Sequence, residues 1–277
     1  MSDSASTNVP FREAFEIHGV RVGLGASQRE LLDRLVALLP PGLPHCDPEA
    51  VDWHVTLLPA GDGAWQYKSP GRSSPMYTDL SLVVGMLDTE LRRYVAGHAP
   101  ERFFVHAGAV SYGGRAILIP GSSFSGKSML VAALVRAGAD YYSDEYAVLD
   151  EHGLVHPYAR PLSIRRERPE PPDRPSAESL GGSVGVEPVP VGLIAATAYR
   201  PQATFCPEPR STAQGMLALM AHMTGSRQRP KEALEAARRA AATALVLDGE
   251  RGEADAAAEV LLQRLAGRAA NGVGSLR

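Results

Sequence analysis

With 277 residues, 44% of them hydrophobic, the chain is long enough to bury a full core as one large domain or two small ones. Twenty-eight basic side chains against 31 acidic ones give a formal net charge of −3, which supplies no general attraction to nucleic acid or to anionic membrane. Cys46 and Cys206 are the only cysteines, too few for a disulfide framework and without the C-x-x-C spacing of zinc or redox sites, so a reducing cytoplasm suits the composition.

In chain order, MSDSASTNVP is polar and lacks the apolar stretch of a signal peptide, so residues 1–10 read as a disordered tail. No uninterrupted apolar run reaches about 18 residues, so no membrane span is expected. Residues 14–24 carry Phe15, Ile17, Val20, Val22 and Leu24 at largely alternating spacing, the pattern of one strand or a pair. Ser27 with Glu30 three residues on has the form of a capping box, opening a helix through Leu31, Leu32, Leu35 and Leu38. Residues 51–58 read as a strand, the Gly/Ser/Pro-rich 60–75 as turns or a hairpin tip, and 79–96 as a helix with Leu80, Val83, Val84, Leu87, Leu91 and Val95 on one side. Residues 11–98 therefore read as an α+β N-terminal part. Its histidines, His18, His45 and His54, are isolated and suggest no site.

From Phe103 the pattern changes. Residues 103–111 read as a strand, Tyr112-Gly113-Gly114 as a tight turn, and Arg115 to Ile119 as a second, buried strand ended by Pro120 and Gly121. A helix follows at once, with Leu130, Leu134 and Ala137 at i, i+4 and i+7 and Gly138 where a left-handed cap is expected. Between strand and helix stand Gly121, Ser122, Ser123, Phe124, Ser125, Gly126, Lys127 and Ser128, the G-x-x-x-x-G-K-[ST] pattern of a phosphate-binding loop. The glycines let successive N–H groups turn inward around an anion at the positive end of the helix. Lys127 neutralises outer phosphates, and the Ser128 hydroxyl enters the shell of a magnesium ion that keeps most of its waters. A Gly/Ser-rich turn that happens to carry a lysine is the alternative, disfavoured by the strand before and the helix after.

A phosphate loop says nucleotide but not reaction. Asp144 and Glu145 narrow the choice, because Asp144 lies 17 residues after Lys127, which is one helix and one turn. Residues 141–149 read as the next strand with the acidic pair at its start. Neighbouring strand residues face opposite ways, so both carboxylates reach one site only if the strand begins or bulges there. One would accept the proton of an attacking hydroxyl and the other help hold magnesium. An acidic pair in a surface turn is the plain alternative. His106, on the strand hairpinned to the loop strand and followed by Ala107, Gly108 and Ala109, is the third candidate: a buried imidazole that orients or tunes a carboxylate.

The ordered series His106-Ala-Gly-Ala-Val, hairpin, GSSFSGKS, helix, Arg136-Ala-Gly-Ala-Asp, Ser143-Asp144-Glu145 and Arg160-Pro-Leu-Ser-Ile-Arg165 resembles the HPr kinase/phosphorylase C-terminal domain. The likeness runs over roughly residues 100–250 and is strongest over 106–165. It is closest to the HPr kinase-related branch, some of whose members modify peptide precursors in natural-product gene clusters. The resemblance implies an α/β P-loop fold with a mixed sheet whose phosphate loop is preceded by a β-hairpin. It implies ATP and Mg2+ as cofactors, His106 and Asp144 as a catalytic couple with Asp144 as base, Lys127 on the phosphates, Ser128 and Glu145 on the metal, and Arg165 towards the substrate. Two departures stand out. The family commonly has two aspartates where this chain has Asp144-Glu145, and the Glu-x-Arg-Gly-Leu-Gly signature of the bifunctional enzymes is not recognisable around 180–195. Neither a reverse phosphorylase reaction nor HPr as substrate is implied.

Residues 160–175 hold five arginines, three acids and five prolines, which excludes a core strand. The stretch 160–190 reads as a mobile substrate-side loop, with a solvated linker as the alternative. Residues 191–199 then read as a buried strand, a helix capped by Ser211 follows, 230–242 is an alanine-rich helix opened by proline, 244–247 a short strand and 254–265 a last helix, any of which could supply a homo-oligomer contact. Residues 99–268 thus form the kinase-like domain and 269–277 a tail. The expected function is an ATP- and magnesium-dependent kinase acting on a hydroxyl, with a serine of a protein or peptide ahead of a small metabolite. A non-catalytic nucleotide-binding regulator is the rival from another class.

Overall fold

The computed structural model describes residues 9–122, 125–164 and 173–273. Ser123, Phe124 and Arg165 of the expected site lie outside the described residues, as do the terminal tails apart from Val9, Pro10 and the end of the last helix. The chain divides into two compact units between Glu101 and Arg102.

In the first unit, β1 (Phe11–Ile17) and β2 (Val20–Ala26) form an antiparallel hairpin. His18 and Gly19 turn it, both at positive φ (50° and 80°), the conformation a tight two-residue hairpin turn requires. Then come α1 (Arg29–Val36), β3 (Trp53–Pro59), β4 (Trp65–Ser69), β5 (Arg72–Ser73) and α2 (Leu80–His98). The sheet order is β1-β2-β3-β4-β5, with β3 parallel to β2. Leu31, Leu32 and Leu35 of α1 and Val83, Leu87, Leu91 and Val95 of α2 are buried with the strand residues Ile17, Val22, Leu24, Val55 and Leu57. Glu90 of α2 accepts hydrogen bonds of 2.6 Å from Tyr67 Oη and Ser69 Oγ of β4, which fixes the helix on the sheet. Asp79 caps α2 as its composition suggests, accepting from the N–H groups of Ser81 and Leu82. The capping box expected at Ser27 and Glu30 does not form. β2 ends at Ala26, and Gln28 in an extended conformation (φ −137°, ψ 149°) is the N-cap of the helix, so the helix opens one residue later and Ser27 Oγ is buried without a hydrogen bond.

The second unit contains β6 (Phe103–Val105), β7 (Ala107–Tyr112), β8 (Arg115–Pro120), α3 (Lys127–Arg136), β9 (Asp140–Ser143), β10 (Ala147–Leu149) and β11 (Leu154–His156). A 3₁₀ turn over Glu178–Leu180 precedes β12 (Val189–Tyr199), β13 (Glu208–Arg210), α4 (Thr212–Ala221), β14 (Met223–Thr224), α5 (Pro230–Ala242), β15 (Leu245–Arg251) and α6 (Ala254–Val273). The strands form an open mixed sheet of ten, ordered β14-β6-β10-β11-β12-β8-β7-β9, with β15 on β12 and β13 on β15. Strands β8, β12 and β15 are mutually parallel, whereas β7 is antiparallel to both β8 and β9.

The near-continuous apolar strands reflect burial on both faces. Ile117, Ile119, Leu193 and Leu247 pack with Leu130 and Leu134 of α3 and Leu261 and Leu265 of α6. Ala116, Leu118, Ile194 and Val246 pack on the other side with Leu219 of α4 and Ala233, Ala236, Ala237 and Ala240 of α5. The result is a mixed α/β architecture in three layers. Among the described residues no helix is long and apolar enough to cross a membrane.

Two expected strands are broken. The run from Phe103 divides at His106 into β6 and β7, and the run from Tyr141 divides at Asp144–Tyr146 into β9 and β10. The acidic pair therefore stands between two strands, not at the start of one. Val105 stands opposite Ala147 and Ala109 opposite Ser143, the same register on either side of the break before it shifts between Ala109 and Val110, so the two breaks lie at one level of a two-stranded ribbon. The described residues of 160–190 are also more fixed than a free lid. Ile164 and Asp173 exchange backbone hydrogen bonds, and Ser183 to Gly185 run along Tyr141 of β9 through two more, of 2.7 and 2.9 Å.

Candidate functional site

The loop after β8 is described at residues 121–122 and 125–128. Gly121 N–H donates to the His106 carbonyl at 3.3 Å, which ties the loop to the break between β6 and β7. Gly126 is the N-cap of α3 in the left-handed region (φ 78°), and it offers no side chain to the orphan amides of the first turn. The first-turn amides and the positive end of α3 thus lie at the end of the helix next to the loop, the kind of terminus that favours anions. Lys127, only 6% exposed, folds its ammonium back over the loop and donates to the carbonyls of Gly121 (2.9 Å) and Ser122 (2.8 Å). Ser125 Oγ is buried there without a hydrogen bond.

Asp144 is brought to this loop by the break after β9. Ser143 makes the break: its hydroxyl accepts from the N–H of Tyr146 at 3.1 Å, replacing ladder bonds with a local turn. The Asp144 carboxylate is 3% exposed and accepts hydrogen bonds from Ser163 N–H (2.8 Å) and from Tyr141 Oη (3.3 Å), and the Ser128 hydroxyl is near enough to stabilise its charge. Burial pushes its pKa up, and the charge of Glu145 adds to that, against the hydrogen bonds from Ser163, Ser128 and Tyr141. Tyr141 donates at 2.7 Å to the Arg160 carbonyl, and burial, with Asp144 beside it, raises its phenol well above the usual range. Closeness of α3 to β7 is what makes this meeting possible. At Gly108 a Cβ would lie 2.5 Å from Val131 Cγ2 of α3, so glycine is needed there.

Glu145 turns the other way, towards His106. His106 Nε2 lies 3.9 Å from Glu145 Oε1, their side chains are 22% and 35% exposed, and the imidazole also faces the Tyr146 ring at 5.9 Å. Among the described contacts, His106 stands with Glu145, and Asp144 with Tyr141, Ser163 and the nearby Ser128.

Three residues of the site carry no signal in the sequence. His222, at the end of α4, accepts the His106 N–H with its carbonyl at 2.8 Å, and its imidazole pKa is lowered by burial and then by the charge of Lys127. Arg251 ends β15, which runs four residues past the expected strand. Its guanidinium is 1% exposed and donates to the carbonyls of Gly126 (2.7 Å), Ser125 (3.4 Å) and Gly252 (3.2 Å). Tyr199, at the end of β12, lies with its ring centroid 5.6 Å from that guanidinium. An arginine in a polar run such as GERGEAD resembles any surface arginine, so only its place in the sheet distinguishes it.

The described residues bring together the N-terminus of α3, the Lys127 ammonium, and the Ser128 hydroxyl near the buried Asp144 carboxylate. Among the described residues no three His, Cys, Asp or Glu are grouped to hold a metal by themselves. A magnesium ion that keeps waters and phosphate oxygens needs only one or two protein oxygens, and Ser128 Oγ beside Asp144 is such a set. Comparison of the chain with family models, with curated proteins and with solved structures finds no match.

Proposed function

We propose that the second unit is an ATP- and magnesium-dependent kinase of HPr kinase-like P-loop fold that moves the γ-phosphoryl group to a hydroxyl, preferentially a serine of a protein or peptide. The observation that carries this reading is the placing of the buried Asp144 carboxylate, held by Ser163 N–H and Tyr141 Oη, where the Ser128 hydroxyl of the phosphate loop stabilises its charge. Nucleotide binding alone asks for the loop and the lysine; a carboxylate held out of water beside the loop serine is what group transfer adds. The loop amides and Lys127 hold the phosphates, Ser128 with one carboxylate holds magnesium, and Asp144 receives the proton as the acceptor oxygen bonds to the γ-phosphorus and the bond to the bridging oxygen of ADP breaks. Magnesium, when bound, supplies neutralisation of the charge on the phosphates. His106 and Glu145 stand as a partly exposed pair at the entrance, where an acceptor arrives. The free Cys46 and Cys206 suit a reducing compartment such as the cytoplasm.

A second assignment within the same function is favoured by the same neighbourhood: Asp144 with Ser128 holds magnesium, and the more exposed Glu145, backed by His106, takes the proton. The experiment is incubation with γ-labelled ATP, magnesium and fractionated lysate of the source cells, run beside Asp144→Asn and Glu145→Gln. Label on a macromolecule with the wild type establishes a protein or peptide kinase. Label in a small-molecule fraction indicates a metabolite kinase, and label remaining in ATP overturns transfer in favour of a nucleotide-binding regulator. If Asp144 is the base, Asp144→Asn abolishes transfer and still binds MgATP; if it holds the metal, Asp144→Asn loses MgATP affinity and Glu145→Gln is the variant that binds without transfer.

A further inference from the structure

The phosphate loop has two flanks, and only one is accounted for by the chemistry above. Strand order places β7 and β9, with Asp144, on one side of β8, and β12 and β15 on the other. On that second side Ile194 pairs with Leu118, while β8 ends at Pro120 and β12 continues to Tyr199 opposite Arg251. The end of β12 therefore projects three residues, about 10 Å, beyond the end of the loop strand, a wall alongside the loop.

Tyr199 stands at the top of this wall. A Cβ on Gly126 would lie 3.6 Å from Tyr199 Cβ, so the tyrosine borders the loop's left-handed glycine. Its ring is held from behind by the Arg251 guanidinium at 5.6 Å, and its hydroxyl donates to Glu253 Oε1 at 3.3 Å. Even so, the residue is 47% exposed, one of the few large hydrophobic side chains left so. Arg251 joins ring and loop, because the same guanidinium donates at 2.7 Å to the Gly126 carbonyl. A fully buried arginine that spends its donors on loop carbonyls, beside an exposed aromatic face it supports, fits a binding platform better than a surface tyrosine.

A nucleotide whose outer phosphates lie towards Ser128 and Asp144 must carry its base on the opposite flank, over the carboxyl ends of parallel strands where α/β sheets take ligands. We infer that the exposed face of the Tyr199 ring is the platform on which the base of the bound nucleotide stacks, with Arg251 tying that platform to the loop. The inference rests on the phosphate-loop reading and extends it from phosphates to base. An aromatic platform grips any base by its π face, so it predicts that the donor is a nucleoside triphosphate and not a bare polyphosphate, with modest preference between purines.

The test compares equilibrium binding of MgATP and of magnesium tripolyphosphate, which has the phosphates without the base, to the full chain and to Tyr199→Ala, Tyr199→Leu and Tyr199→Phe. Wild type binds MgATP at least about tenfold more tightly than tripolyphosphate, and Tyr199→Ala and Tyr199→Leu lose about tenfold for ATP alone, the scale of one base on one aromatic ring. Tyr199→Phe restores ATP affinity. Equal affinity of the wild type for the two ligands overturns the platform while leaving the loop reading intact, and this comparison needs no variant to fold. Equal loss of both ligands in Tyr199→Leu, or loss of neither, overturns it as well. Failure of the wild type to bind either ligand overturns the phosphate-loop reading and the platform with it.

Discussion

The two flanks of the phosphate loop are built by opposite means. On one, the antiparallel strands run by β7 and β9 both break, at His106 and at Asp144–Tyr146, and polar side chains fill the gap. On the other, β12 and β15 run parallel and paired to their last residues, Tyr199 and Arg251. A broken ribbon gives up ladder hydrogen bonds, and here Ser143 Oγ, the Ser163 N–H bonded to Asp144, and the bond from His106 N–H to the His222 carbonyl take their place. The difference teaches a division of labour: irregular backbone places the groups that would meet reacting atoms, whereas regular backbone holds the loop and whatever lies along it.

The largest way to break the comparison lies on the irregular flank. Asp144→Asn keeps the shape and the hydrogen bond from Ser163 and removes the charge; transfer falls by about a thousandfold or more, as for removal of a general base in a water-excluded site, while nucleotide binding measured by calorimetry changes little. Lys127→Ala weakens binding and transfer together, because the ammonium acts on ground state and transition state alike. Next comes packing. Gly108→Val drives a branched side chain into Val131, 2.5 Å from where its Cβ would stand, and costs about 1–3 kcal/mol in chemical denaturation. On the regular flank Arg251→Met keeps bulk but drops the bonds to Gly126 and Ser125, a loss of about 1–3 kcal/mol with weakened tripolyphosphate binding.

The smallest effect is in pH. The folded pKa of His222 is lowered, so the unfolded chain takes up the proton first. Its contribution to stability is complete above the unfolded value of about 6.5 and is lost as pH falls below it. His222→Gln should flatten the stability profile between about pH 7 and pH 5 without altering the profile of the other flank; an unchanged slope would show that Lys127 and burial leave this imidazole as it is in the unfolded chain.

How much of this was legible follows the same division. The strand into the loop, Gly126 as the left-handed entry to α3, and the helices at 212–221 and 230–242 were readable, because glycine, capping and apolar periodicity act within a few residues of themselves. The two breaks were not. His106 and Asp144 sit in runs whose neighbours favour strand, and what interrupts them is a match at one level between two strands about 40 residues apart, a fact of pairing and not of either segment. Ser27 shows the converse: its capping pattern is local and complete, yet the N-cap falls one residue later, on Gln28. Arg251 and Tyr199 were hidden because strand ends are weakly marked, and a residue four positions past an expected end carries no pattern of its own.

The most direct test of the account is amide hydrogen exchange of the full chain with and without saturating MgATP, read peptide by peptide. The account predicts slowed exchange over 121–130, whose N–H groups would hold the phosphates, with smaller protection at 199 and 251 and no change in the sheet of the first unit. Unchanged exchange over 121–130 at millimolar MgATP would contradict it, because a loop whose amides do not meet phosphate is only a turn.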